Sequence, residues 1–259
     1  MKPINLFGRK TKPQPAFIRH AAKVPETKTM GRVLWDDILN FFFPRLCTVC
    51  SSYLTAGEEH ICIGCLNRLP RAAHFGRNDN RAAMRMADFG TAIPAASLLN
   101  YSHEKSVQDI IYSFKYYGNK ELAFIMGRLM GQAAQPWPEY SDIDYLVPVP
   151  LHRRKERRRG YNQAEWLCRG ISSVWETPVV VNALLRCKPT KSQVSKSYLN
   201  RKKILSGNVF AVTGAETLEG KNLLLVDDVL TTGSTITACA TPLLKIAGTR
   251  VMVFTLAVT

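Results

Sequence analysis

The chain has 259 residues, 46% of them apolar, and carries 35 Lys and Arg against 20 Asp and Glu, a formal net charge of +15. That length and composition exclude wholesale disorder and suit one large domain or two small ones with a real core. No stretch approaches the about eighteen apolar residues of a spanning helix, and no apolar block of signal-peptide length follows the basic N-terminal residues, so a soluble, cytoplasmic protein without a membrane span is expected.

The charge is concentrated in three segments. Residues 1–32 hold eight basic residues and one acid (Glu26), with four prolines and no sustained apolar periodicity, which predicts a flexible basic extension. Residues 33–43 read as a short amphipathic helix ending before Pro44.

Cys47-Thr-Val-Cys50 follows, and after eleven residues Cys62-Ile-Gly-Cys65. Two CxxC pairs suit tetrahedral zinc, because each tight turn supplies two thiolates and the linker brings the second turn round to complete four. Disulfides would call for an oxidising compartment, for which no secretory signal argues. Iron–sulfur ligation is the other alternative, without a redox signal in the sequence to favour it. We expect structural zinc on Cys47, Cys50, Cys62 and Cys65, in a double zinc ribbon that forms, with the preceding helix, a module over 33–75. So small a module draws much of its folding energy from the metal. Cys168, Cys187 and Cys239 are scattered and read as buried small apolar residues.

From about residue 90 helical and strand patterns alternate, which predicts an α/β domain over 90–259 with a mostly parallel sheet covered on both faces. Strands are expected at 91–100, 143–149, 178–181, 222–227 and 250–258. Helices are expected at 105–116, 121–134, 161–174 and 233–247. The second basic segment, 152–159, has six basic residues and one acid; the third, 186–203, has seven and none. Outside the three segments the chain is net acidic, at −4.

The most informative stretch is Leu223-Leu-Leu-Val-Asp-Asp-Val-Leu-Thr-Thr-Gly-Ser-Thr235. An apolar strand delivers two carboxylates, Asp227 and Asp228. Thr231, Thr232, Gly233, Ser234 and Thr235 then open a helix. Backbone N–H groups, hydroxyls and the helix dipole make that loop an anion cradle. Carboxylates beside it would repel a phosphate, so they suit sugar hydroxyls or a divalent metal on the same ligand. Together they describe a sugar 5-phosphate with a vicinal diol.

This string resembles the phosphoribosyl-pyrophosphate (PRPP) signature of type I phosphoribosyltransferases. With the CxxC pairs, Val147-Pro-Val-Pro-Leu-His-Arg-Arg154, Arg159-Gly-Tyr-Asn-Gln163, Tyr112-Ser-Phe-Lys115-Tyr-Tyr-Gly118 and the later Arg186, Thr190, Gln193, Arg201, Asn208 and Phe210, it resembles the ComF family of competence-associated proteins over roughly residues 40–259. The resemblance implies a type I phosphoribosyltransferase-like fold, with helices on both faces of a parallel sheet, behind a zinc ribbon. It implies that Asp227 and Asp228 hold the ribose hydroxyls and help with magnesium, and that residues 231–235 hold the 5-phosphate. It implies a pyrophosphate-gripping loop after Pro150, where Arg153, Arg154, Lys155 and Arg157, Arg158 and Arg159 lie, with Arg153, Arg154 and Lys155 as the pyrophosphate contacts, and a flap at 186–203. Phosphoribosyl transfer with pyrophosphate release is one implied activity. The other is a non-catalytic role in natural transformation, with single-stranded DNA and the competence helicase machinery as partners. Tyr161, Asn162 and Gln163 are candidates for contacting an acceptor base.

Overall fold

The computed structural model describes residues 44–77, 79–88, 93–101, 105–186 and 209–259. The basic extension over 1–32, the helix expected over 33–43, Cys187 and all of the expected flap beyond Arg186 lie outside the described residues.

Four parallel strands form the central sheet, in the order β1 (Ala95–Asn100), β6 (Arg250–Val258), β5 (Asn222–Leu230), β2 (Tyr145–Pro148). The apolar runs seen in the sequence are its buried interior: Leu223, Leu224, Leu225 and Val226 are all fully buried, as a sheet covered on both faces requires. Side chains alternate between the faces. Leu224, Val226 and Phe254 pack with α3 (Lys105–Tyr116), α4 (Lys120–Ala134) and α6 (Gln163–Trp175). Leu223, Leu225 and Val253 pack on the other face with α2 (Arg81–Ala87), α8 (Ser234–Leu243) and the small antiparallel pair β3 (Leu184–Arg186) and β4 (Phe210–Val212). The α/β parallel sheet with helices on both faces is thus as expected.

Several elements differ from the expectation. The strand expected at 178–181 is a single parallel bridge, Leu146 to Val179. The helix α2 and the β3–β4 pair were not anticipated, nor was the short helix α7 (Ala215–Leu218). The strand β5 continues through both aspartates to Leu230 instead of ending at them.

The helices α4 and α6 meet backbone to backbone. A Cβ at Gly127 would stand 2.2 Å from the Leu167 carbonyl oxygen, and one at Gly170 would stand 2.2 Å from that of Phe124. Only glycine permits this approach. Trp175 secures it with an Nε1–H bond of 2.8 Å to the Gly131 carbonyl. The start of α6 is pinned to the end of β2, because Asn162 donates from Nδ2 to the Val149 carbonyl at 3.0 Å.

The cysteine-bearing segment, which includes α1 (Ile63–Asn67), is stitched to the sheet edge. Ala72 N donates to Leu98 O at 3.0 Å and Asn100 N to Pro70 O at 2.9 Å. Its buried residues Cys47, Ile61, Cys65 and Leu69 join the same cluster as α3 and α4.

Candidate functional site

Pairing between β2 and β5 stops at Pro148 with Val226, whereas β5 and β6 remain paired to Leu230 with Val258. Asp227 and Asp228 follow at once, where one side of β5 has lost its neighbour. The pleat sends their side chains to opposite faces. Asp228 turns toward α3 and pairs with Lys115, Nζ to Oδ2, at 2.9 Å. Asp227 accepts the Asp228 backbone N–H at 2.8 Å and lies within the electrostatic reach of Arg186 and Cys239. Burial, and next the charge of Asp228, push the Asp227 carboxyl up to about 7. Lys115 and Arg159 oppose that rise.

The cradle follows directly. Gly233 caps α8 with φ +84°, a left-handed conformation that a side chain would strain. A cap without a side chain leaves the first helical N–H groups open to an anion. The Thr232 and Ser234 hydroxyls are 3.0 Å apart, and Thr231, Thr232 and Thr235 are exposed.

The segment expected to be a pyrophosphate loop is instead a helix, α5 (Arg153–Arg159). His152 caps it by accepting Arg154 N–H at Nδ1, at 3.2 Å, and Gly160 ends it at φ +80°. Arg157, Arg158 and Arg159 occupy the last turn, where the dipole favours cations. Arginine, lysine and glutamate are good helix formers, so the run before Gly160 carried that signal. Arg153, Arg154 and Lys155 are exposed along it. Burial lowers the pKa of Lys155, as do the nearby charges of Arg159, Arg186, Lys115 and Arg158. Arg159 keeps a buried Nε with no hydrogen-bond partner among the described residues.

The cations gathered near the aspartates thus differ from the expected Arg153, Arg154 and Lys155. Lys115 from α3, Arg159 from α5 and Arg186 from β3 act on the aspartates, and Lys155 of α5 stands among these cations. Lys115 stood in a motif quoted above without an assigned role, and Arg186 stood at the start of the expected flap but ends β3; only the fold brings them near Asp227 and Asp228. Nothing in the structure ties Arg153 or Arg154 to the aspartates.

The residues considered for an acceptor base have structural work. Tyr161 donates its hydroxyl to the Phe114 carbonyl. Asn162 caps α6, accepting Ala164 N–H at 3.1 Å while donating to Val149. Gln163 is 2% exposed.

Cys47, Cys50, Cys62 and Cys65 converge, with all four Sγ atoms within 4.8 Å of one another. Backbone N–H groups point at two of the sulfurs: Cys62 N to Cys47 Sγ and Cys65 N to Cys62 Sγ, both at 3.4 Å. Burial pushes the Cys65 thiol up to about 12, while Ser52 hydrogen bonds draw exposed Cys50 down to about 6. Four clustered thiolates need a cation between them, and four soft donors at this spacing are consistent with structural zinc. Cys168 and Cys239 are buried and unpaired, as expected of small apolar residues.

Curated relatives match most of the chain. Competence protein F of Haemophilus influenzae is 26% identical over 230 residues, covering 85% of this chain and 99% of its own length. The DNA utilization protein YhgH of Escherichia coli K12 is 28% identical over 214 residues, covering 82% and 89%. The competence protein ComFC of Bacillus subtilis is 28% identical over 208 residues, covering 78% of each. Over most of its length the chain is similar to the ComF/YhgH competence proteins. No family model matches the sequence. Solved structures similar to it are an allosteric regulatory enzyme of purine biosynthesis (TM-score 0.37, 15% identity, 55% of this chain and 29% of that one) and the glutamine PRPP amidotransferase of B. subtilis (TM-score 0.38, 16% identity, 56% and 30%). Among the described residues, no helix is long and apolar enough to cross a membrane.

Proposed function

We propose that Asp227, Asp228 and the 231–235 cradle bind PRPP with magnesium, and that the protein transfers the phosphoribosyl group to an acceptor with release of pyrophosphate. The observation that carries this reading is the set of cations Lys115, Arg159 and Arg186 acting on two carboxylates, with Lys155 among those cations, beside an open helix N-terminus. A phosphate alone would not call for the carboxylates, and a sugar alone would not call for the cations. Asp227 and Asp228 accept hydrogen bonds from the ribose hydroxyls. Residues 231–235 donate to the 5-phosphate. Lys155 and the unpartnered Arg159 Nε–H face the pyrophosphate, with Arg153 and Arg154 further along the helix. The hard carboxylate oxygens also fit magnesium, which when bound with PRPP would neutralise the leaving group. In the transfer, the bond from the anomeric carbon to pyrophosphate breaks and a bond to the acceptor nitrogen forms, the acceptor's proton passing to solvent. Lys155 and Arg159 stabilise the charge gathering on the departing oxygens. The test is a thermal shift with magnesium and PRPP, followed by a pyrophosphate-release assay across candidate bases. No shift in the wild type, or an equal shift in the Asp227→Asn, Asp228→Asn double variant, would falsify the site assignment.

A second reading is the handling of single-stranded DNA in competence, alongside a helicase. The names of the relatives support it, as does α5, whose six cations and single acid include no buried residue. Both readings call for a cytoplasmic protein.

A further inference from the structure

Three tyrosines near the site have no place in the core. The buried face of α3 is Val107, Ile110, Ile111 and Phe114. Tyr112 and Tyr116, one turn apart on its outer face, are 52% and 55% exposed, and Tyr117 just beyond it is 77% exposed. Their rings touch: Tyr112 lies 4.5 Å from Tyr116 and 5.6 Å from Tyr117, centroid to centroid. The guanidinium groups of Arg158 and Arg159 stand 6.0 and 5.7 Å from the Tyr116 ring. Exposed clustered rings bordered by a strongly cationic helix are a surface built for a ligand with both aromatic faces and negative charge.

We infer that Tyr112, Tyr116 and Tyr117 form a stacking platform for the bases of a single-stranded nucleic acid whose phosphates run along α5, with Arg158 joining the two. This rests on the DNA-handling reading and gives it a location. A single strand offers free base faces every few ångströms along a flexible backbone, which suits rings beside a row of arginines. A duplex keeps its bases stacked inside and would use the arginines alone. An acidic peptide would likewise leave three rings without employment. The platform adjoins Lys115 and Arg159, so a strand lying on it passes the mouth of the aspartate site.

The test uses the full chain and a fluorescently labelled oligo-dT of about twenty nucleotides, read by anisotropy across salt concentrations. Replacing Tyr116 and Tyr117 together by Ala should weaken binding about tenfold or more. Replacing both by Phe should preserve it, because the stacking face remains. Both variants should keep the wild-type melting temperature, since the rings are exposed. Arg158→Ala should lower the slope of log affinity against log salt by about 0.7. Loss with Ala and retention with Phe support the platform. If the Ala double variant binds the oligonucleotide as the wild type does, the platform is wrong and the strand lies elsewhere. Equal wild-type affinity for duplex also removes the stacking role. If the wild type ignores the oligonucleotide, or binds only anionic vesicles, the DNA-handling reading falls with it.

Discussion

Lys115 reaches from the last turn of α3 to within 2.9 Å of Asp228 at the open side of β5. Both side chains are largely shielded, at 22% and 12% exposure, so neither charge is well served by water. Removing one partner strands the other. Lys115→Met should therefore cost about 2 kcal/mol of stability. Adding Asp228→Asn should return most of that loss, because the orphaned charge is then gone. Urea unfolding of the two single variants and the double variant measures the coupling. Additive losses would show that the pair contributes nothing.

The second aspartate makes a pH prediction. Burial and the charge of Asp228 raise the Asp227 carboxyl to about 7. The folded state thus holds a proton that the unfolded chain, with an ordinary carboxylate near 4, has released. The stabilisation from this group is complete below about pH 4 and is lost as pH rises through about 7. Asp227→Asn should flatten that part of the stability profile, read as urea midpoints at pH 5 and pH 8. The ligand dependence has the opposite sign. A ligand that engages the ionised carboxylate binds better once the proton has gone, so the thermal shift with magnesium and PRPP should grow between pH 6 and pH 8. An equal shift at both values would remove Asp227 from the ligand's contacts.

Elements whose residues are buried on regular periods were legible in the sequence. Residues 105–116 show apolar positions at 107, 110, 111 and 114, and α3 has those bounds and buries those residues. The four-residue run at 223–226 and the stretch 250–258 became strands because both faces of the sheet are covered. The CxxC spacing foretold the convergence of four sulfurs, since both turns are local. What escaped is set by tertiary context. The arginine-rich helix α5 has no apolar stripe, and only the helix propensity of its residues and its caps, His152 and Gly160, mark it. The strands β3 and β4 are three residues each, too short to show a period. Lys115 and Arg186 lie far from the aspartates in the chain, and no local pattern joins them. Asn162 and Gln163 look like ligand contacts in sequence because a cap and a buried amide use the same residue types as a binding site.

The cysteine cluster is linked to the α3–α4 turn, which follows the last turn of α3 and its Lys115. His60, between the two CxxC pairs, accepts the Thr48 N–H through its carbonyl at 2.8 Å. Its Nδ1 lies 3.2 Å from the Asn119 amide, which also donates to the Ser113 hydroxyl at 3.2 Å and caps α4 through Leu122 N–H at 3.0 Å. Chelating the metal should release the cluster and loosen this turn. Hydrogen exchange should then rise across 44–68 and across 113–122, while β5 and β6 stay protected. Asn119→Asp keeps the cap but removes the amide donor, so it should loosen the turn alone with the metal still bound. Exchange at 113–122 that ignores both treatments would show that the cluster and the turn are independent.

Arg159 separates stability from binding. Its buried Nε–H has no acceptor among the described residues, and an unsatisfied buried donor costs stability. Its charge nevertheless lowers the Asp227 pKa and presses on Lys155, so it links the rest of α5 to the aspartates. Arg159→Met keeps the length of the side chain and removes both the orphaned donor and the charge. The unliganded protein should melt at the same temperature or slightly higher. Affinity for magnesium and PRPP, by calorimetry, should fall by about tenfold or more, the worth of one charge-assisted hydrogen bond. Lys is the informative control: it restores the charge without the planar fork, so partial recovery of affinity in Arg159→Lys would assign the difference to geometry. A less stable Arg159→Met protein with unchanged affinity would mean that this arginine serves the fold and not the ligand.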